Sequence, residues 1–212
     1  MILILATTEP EKLPVTVLSR TQQFYFKHIP LRVIVQKLQH IAKAEKIKIT
    51  DEALELIASS AEGSFRDAES LFDQLIAAGD TNITLQMVET MVGKIGFDAL
   101  AHFAELLLTK DLQSALTTLA DIYDRGYNIA QFTKDNIQYL RRTAVLHYNP
   151  EMQKLFAQEL MAAHVQQLIA HSALFKETHL TLLKSLIVAY GQMRYSQFPI
   201  IPLEIAIIEN LK

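Results

Sequence analysis

The chain has 212 residues, half of them hydrophobic and a fifth charged, with 20 Lys and Arg against 23 Asp and Glu for a net charge of -3. The absence of cysteine excludes a disulfide framework and thiolate or zinc-thiolate chemistry, and the lack of a basic excess removes any global charge signature of nucleic-acid binding. No apolar run reaches the roughly 18–20 residues of a membrane-spanning helix, and Met1 to Ala6 is too short and too poor in basic residues for a signal peptide, so a cytoplasmic protein of one or two domains is expected.

Ile2 to Ala6 is a continuous apolar run ending at the hydroxyls Thr7 and Thr8. That pattern predicts a strand buried on both faces, as in a parallel sheet, and hydroxyls at the carboxyl end of such a strand often line a ligand site. Pro10 and Pro14 punctuate a short connection to Arg20, and the aromatic stretch Gln22 to Phe26 predicts a second strand. After Pro30 the chain reads as helix throughout. Leu31, Ile34, Leu38 and Ile41 recur at helical spacing to about Lys46. Thr50 is a predicted N-cap, with Asp51 and Glu52 in the favourable first turn and Leu54, Ile57, Ala58 and Ala61 on the apolar face. Gly63 predicts the end of that helix, and Ser64 with Asp67 has capping-box spacing ahead of Leu71, Phe72, Leu75 and Ile76. A fourth helix is predicted from Thr84 to Val92, stopped by Gly93.

Beyond Gly96 the periodicity predicts a second helical set, near 97–108, 111–125, 128–147, 151–160, 162–174, 177–195 and 203–211, with Asn128, Pro150, Pro199 and Pro202 marking ends. Charge is uneven in the first set: residues 27–48 hold six Lys or Arg and one Glu, whereas residues 51–73 hold seven Asp or Glu and one Arg. Solvated helix faces explain such runs, with a basic face aimed at phosphate as the lesser alternative.

Few residues carry chemistry. Arg66 is predicted at the second position of a helix, where the macrodipole disfavours a cation by about 0.3–1 kcal/mol. Such a helix end, with open N–H groups and an arginine beside it, suits a phosphate; an ordinary exposed arginine near Glu62, Asp67 or Glu69 is the alternative. Arg20 is a planar, permanently charged fork on a short connection, suited to phosphate oxygens or simply a loop arginine. The seven histidines show no metal-ligand spacing and read as surface or partly buried side chains. Phe103, Tyr123, Phe132 and Tyr139 fall at helical spacing and read as core or interface packing. There is no G-x-S-x-G, G-x-G-x-x-G or G-x-x-x-x-G-K-[ST], and six glycines leave no loop to cradle a triphosphate.

Three segments together resemble one family. The run from Ala6-Thr7-Thr8-Glu9-Pro10 through Val17-Leu18-Ser19-Arg20, the segment Ala61-Glu62-Gly63-Ser64-Phe65-Arg66-Asp67-Ala68, and Pro202-Leu203-Glu204-Ile205-Ala206-Ile207-Ile208 resemble the gamma/tau subunits of the bacterial DNA polymerase III clamp loader, a family of AAA+ ATPases. The resemblance implies that Thr8, or less closely Thr7, matches the sensor-1 position near the γ-phosphate. It implies that Arg20 matches the arginine of the family's Ser-Arg-Cys motif, a finger acting in trans on ATP held by a neighbouring subunit. Arg66 matches sensor 2, reaching the phosphates from the lid. Implied with these are ATP and magnesium in the full-length protein, the delta, delta-prime and other gamma/tau subunits as partners, and the sliding clamp and primed DNA through the assembly.

The chain departs from the family pattern in two places. Thr21 stands where the family usually has Cys. The family's P-loop, acidic magnesium-binding motif and zinc module precede the part that matches, so Met1 is expected to fall within the ATPase core at its penultimate strand. The expected architecture is mainly α: a two-strand β/α remnant of an AAA+ core over residues 1–29, a helical lid over 30–95 and an all-helical collar over 96–212. Two functional expectations follow. The chain is either the sensing portion of an ATP-dependent clamp-loader subunit, or a non-catalytic scaffold that donates Arg20 to partners. In neither is it expected to hydrolyse ATP alone.

Overall fold

The computed structural model describes residues 4–77 and 82–212. After a single 3-10 turn at Pro10–Lys12, the elements in chain order are α1 (Val15–Leu18), α2 (Leu31–Ala44), β1 (Lys48–Ile49), α3 (Asp51–Ser60), α4 (Phe65–Ala77), β2 (Asn82–Ile83) and α5 (Leu85–Val92). There follow α6 (Phe97–Thr109), α7 (Leu112–Asp124), α8 (Ile129–Tyr148), a 3-10 turn at Pro150–Met152, α9 (Gln153–Glu159), α10 (Ala162–Leu174), α11 (Thr178–Met193) and α12 (Ile200–Leu211). The fold is therefore mainly α with one short pair of strands, as expected.

The strands themselves lie elsewhere than the sequence suggests. Ile4 to Ala6 and Gln22 to Phe26 form no strand among the described residues, with Phe26 95% exposed; Ile2 and Leu3 of the first expected strand lie outside the described residues. A strand gains its ladder only from a neighbour, and apolar sequence without one does not form a sheet. The pairing observed is parallel, between β1 and β2, with Lys48 opposite Asn82 and Ile49 opposite Ile83.

Local signals explain the helices. The fixed φ of Pro30 leads into α2, which buries Ile34, Val35, Leu38 and Ala42 on one face. Its end is a Schellman turn: Lys46 is left-handed at φ 58°, and the N–H of Ile47 donates to the Ala42 carbonyl at 2.9 Å. The Ala53 N–H donates to Thr50 Oγ1 at 3.3 Å, capping α3, and the Asp67 N–H donates to Ser64 Oγ at 3.2 Å, capping α4. Asn128 caps α8 by accepting from the Gln131 N–H at 3.0 Å. Gly93 takes φ 67° at the end of α5, where its N–H donates to the Glu89 carbonyl.

Two apolar cores result. The first gathers Ile34 and Leu38 of α2, Leu54 and Ile57 of α3, Phe72 and Leu75 of α4, Ile83, and Val88 of α5. The second gathers Tyr139 and Leu140 of α8 with Phe103 and Leu107 of α6, Leu119 of α7, Leu168 of α10, Leu186 of α11 and Ile207 of α12. The connection Gly93 to Gly96 passes from one to the other.

Candidate functional site

Thr7 and Thr8 lie on exposed chain ahead of α1. Thr7 Oγ1 accepts the Glu9 N–H at 3.0 Å, which turns the chain into the Pro10–Lys12 turn. Arg20 follows the C-cap of α1; its N–H donates to the Val17 carbonyl at 3.1 Å and its side chain is exposed. Arg66 is the second residue of α4 and is exposed as well. The hydroxyl of Ser64 satisfies the Asp67 N–H, leaving the first N–H groups of α4, at Phe65 and Arg66, without an acceptor among the described residues. Among the described residues no hydrogen bond or ion pair joins Thr7, Thr8, Arg20 and Arg66 to one another. The helix start with its arginine is thus chemically open to an anion, while Thr8 and Arg20 sit on a separate exposed segment.

That segment is tied down close to Arg66. The Ile29 N–H donates to the Gly63 carbonyl at 3.0 Å. Gly63 is left-handed at φ 87°, and a Cβ built there would lie 2.6 Å from the Cβ of His28. The α3–α4 turn therefore admits only glycine beneath the incoming chain. A cleft of about 390 Å³ opens beside it, between Pro30, Ala58, Gly63 and the α9 residues Leu155 and Glu159.

Histidines read from sequence as surface or partly buried need correction: His171 and His179 are buried. Tyr139 and His171 share a hydrogen bond at 2.7 Å. Burial pulls the His171 imidazole below its ordinary value and pushes the Tyr139 hydroxyl up. His171 Nδ1 is the only acceptor for the Tyr139 O–H among the hydrogen bonds of the described residues, so the tautomer that pairs this buried hydroxyl has Nδ1 accepting. His179 is lowered too, first by burial and then by Lys110 and Lys176, and its Nδ1 accepts the Lys176 N–H at 2.9 Å. These are interior packing groups. Of the aromatic residues, Phe103, Phe132 and Tyr139 are core and Tyr123 is 43% exposed.

The described part of α11 and α12 presents a different surface. Ile187, Val188 and Tyr190 on α11, and Ile201, Ile205 and Ile208 on α12, are all exposed, opposite the buried faces of Leu186 and Ala189 and of Leu203 and Ile207. Periodicity predicts both helices but not which of their apolar side chains stay exposed. Among the described residues no group of three His, Asp or Glu could hold a metal ion, and no helix is long and apolar enough to cross a membrane.

Residues 33–81 match the family described as DNA polymerase III clamp loader subunit, ATPase lid domain, and residues 83–211 match DNA polymerase III subunits gamma and tau domain III. The helix α5 packs against the first core although it falls within the second match. The DNA polymerase III subunit tau of Bacillus subtilis is 30% identical over 211 residues, which cover 98% of this chain and 37% of that protein. The DNA polymerase III subunit tau/gamma of Haemophilus influenzae is 49% identical over 148 residues, 70% of this chain and 22% of the relative. The chain thus spans well under half the length of these relatives. The solved structure of the Bacillus subtilis DNA clamp loader delta protein shares the fold with a TM-score of 0.54 at 18% identity, over 97% of this chain and 63% of that one. Two successive family matches across nearly every residue from 33 to 211 place the chain in the gamma/tau family of DNA polymerase III clamp-loader subunits.

Proposed function

We propose that the chain serves DNA replication as the lid and assembly portion of a gamma/tau subunit whose full-length form loads the sliding clamp onto primed DNA with ATP. Residues 1–29 are read as the end of the AAA+ core, 30–95 as the lid and 96–212 as the collar through which subunits assemble. Delta, delta-prime and further gamma/tau copies are the partners. Arg66 acts as sensor 2: it stands beside two unpartnered N–H groups at a positive helix end, which suits phosphate oxygens. Thr8, with Thr7 beside it, takes the sensor-1 place, and Arg20 reaches the nucleotide of a neighbouring subunit. Bound ATP supplies the phosphoanhydride whose hydrolysis drives release of the clamp. No acidic cluster among the described residues fits magnesium, so no ligand to that ion is assigned to this chain.

The observation that carries this reading is the exposed apolar row on each of α11 and α12. An apolar surface rimmed by polar residues marks a protein interface, and these rows lie in the part of the chain that matches domain III. The test is size-exclusion chromatography of the chain mixed with delta and delta-prime subunits, using the parent chain and the surface variants Ile187→Glu and Ile205→Glu. Co-elution of the parent and its loss in both variants, with helical circular dichroism unchanged, is the expected result. Failure of the parent to co-elute, or co-elution of both variants, would overturn the assignment.

A further inference from the structure

The acidic excess of residues 51–73, read from sequence as solvated helix faces, has a structural use. Glu55 of α3 pairs with His164 of α10 at 2.9 Å, and the His164 ring stacks on Phe97 with centroids 3.6 Å apart and planes 13° apart. Glu62 faces Lys134 of α8 at 3.7 Å. Both carboxylates belong to the first helical unit and both partners to the second.

Glu89 of α5 makes the most complete link. Its Oε1 accepts the N–H of Gly96, the residue that caps α6, at 2.8 Å. Its Oε2 accepts the Tyr127 O–H at 3.0 Å. Its own carbonyl accepts the Gly93 N–H at 2.8 Å, and the Gly93 carbonyl in turn accepts the Asn128 N–H at 3.3 Å. One residue therefore engages both ends of the connection and the loop before α8. Gly96 is buried, and a Cβ there would lie 3.2 Å from Leu85 and 3.4 Å from Glu89 Oε1. Burial and the Glu89 hydrogen bond both raise the Tyr127 hydroxyl, keeping it a donor.

We infer that Glu89 is a positioning residue that locks the two helical units at one angle, its carboxylate bridging the cap of α6 and Tyr127 across the Gly93–Gly96 connection. A four-residue connection containing two glycines would otherwise be a free hinge. Charge-assisted hydrogen bonds to a half-buried carboxylate are directional and strong, whereas the exposed Glu62–Lys134 pair adds little. The inference rests on this geometry alone and stands whether or not the assembly role holds.

The absence of cysteine makes the test direct. Exposed Lys43 on α2 and Lys184 on α11 are replaced by cysteine in the full chain, spin-labelled, and their separation is measured by double electron–electron resonance. The parent is expected to give one narrow distance distribution. Glu89→Ala loses that single peak, Tyr127→Phe broadens it, and Glu62→Gln leaves it unchanged. Circular dichroism verifies that the helices persist. A Glu89→Ala distribution as narrow as the parent's would overturn the inference, because apolar packing of Leu85 and Phe97 would then hold the angle. Should Glu89→Ala lose its helical signal, Tyr127→Phe decides in the same way: a broadened peak supports the lock and an unchanged one refutes it.

Discussion

Removing one hydroxyl, by Tyr139→Phe, isolates a single buried polar contact. The ring stays where it packs, tilted 54° against Phe97 with centroids 5.5 Å apart, so neither volume nor apolar burial changes. What is lost is the 2.7 Å bond to His171 Nδ1. His171 is buried on α10, and its acceptor nitrogen has no replacement donor among the hydrogen bonds of the described residues. Loss of one hydrogen bond combined with a stranded buried acceptor costs about 1–3 kcal/mol, above the roughly 1 kcal/mol of an average hydrogen bond. Urea unfolding followed by circular dichroism at neutral pH reads this as a lower midpoint at unchanged slope. A second Tyr139→Phe measurement in a His171→Leu background completes the cycle; there the hydroxyl is itself stranded, so its removal should cost nothing or stabilise. Destabilisation below about 0.3 kcal/mol, or the same cost in both backgrounds, would refute the reasoning, since both lie within the error for independent sites.

Three further outcomes are expected. His171 and His179 have folded-state values below the ordinary 6.5, so both are neutral when folded and the unfolded chain takes up their protons first; stability is full above about pH 6.5 and falls on acidification by up to about 1.4 kcal/mol per pH unit for each histidine, until the folded values are passed. Urea midpoints that stay flat from neutral to mildly acid pH would contradict this. Gly63→Ala forces a Cβ to within 2.6 Å of His28 at φ 87°, and should cost about 1–3 kcal/mol and raise amide exchange at Ile29; an unaltered exchange rate there counts against the pinned-turn description. The exposed apolar side chains of Ile4, Leu5, Phe24, Tyr25 and Phe26 should make the isolated chain self-associate in light scattering, whereas a monodisperse monomer at high concentration argues otherwise.

Helices were the legible part of this sequence because each carries its signal locally. Thr50, Ser64 and Asn128 accept the very N–H groups that capping chemistry assigns to them, and the i, i+4 row of Ile34 and Leu38 is wholly buried. Strands were not legible, because pairing is a property of two segments. Ile4 to Ala6 find no strand partner among the described residues, while β1 and β2, two residues each, are too short to stand out by alternation. The interior of α8 was hidden for another reason. Thr133, Asn136 and Thr143 are buried polar residues, tolerated because each donates to the carbonyl four residues back, at 2.8, 3.0 and 3.0 Å. The same locality governs the residues proposed for the nucleotide site. Arg66 announces itself by breaking the charge preference of a helix start, and its environment can be read from the chain itself. The roles proposed for Thr8 and Arg20 involve a nucleotide and a neighbouring subunit, which no local pattern in this chain encodes. The acidic run from Asp51 to Asp73 was legible as charge, but its pairing with His164 and Lys134 depends on long-range packing that no local pattern encodes.

ATP hydrolysis by an assembled complex is the most direct test of the central proposal. The chain is combined with delta, delta-prime and a P-loop-bearing gamma/tau subunit, with Arg20 intact or changed to Ala or Lys, and steady-state phosphate release is measured with sliding clamp and primed DNA. An arginine acting on a neighbour's nucleotide predicts a fall in turnover at that neighbour on the order of 10³-fold or more for Arg20→Ala, with little rescue by Lys, which lacks the planar fork. Turnover unchanged by Arg20→Ala, in a complex shown to contain the chain, would contradict the account.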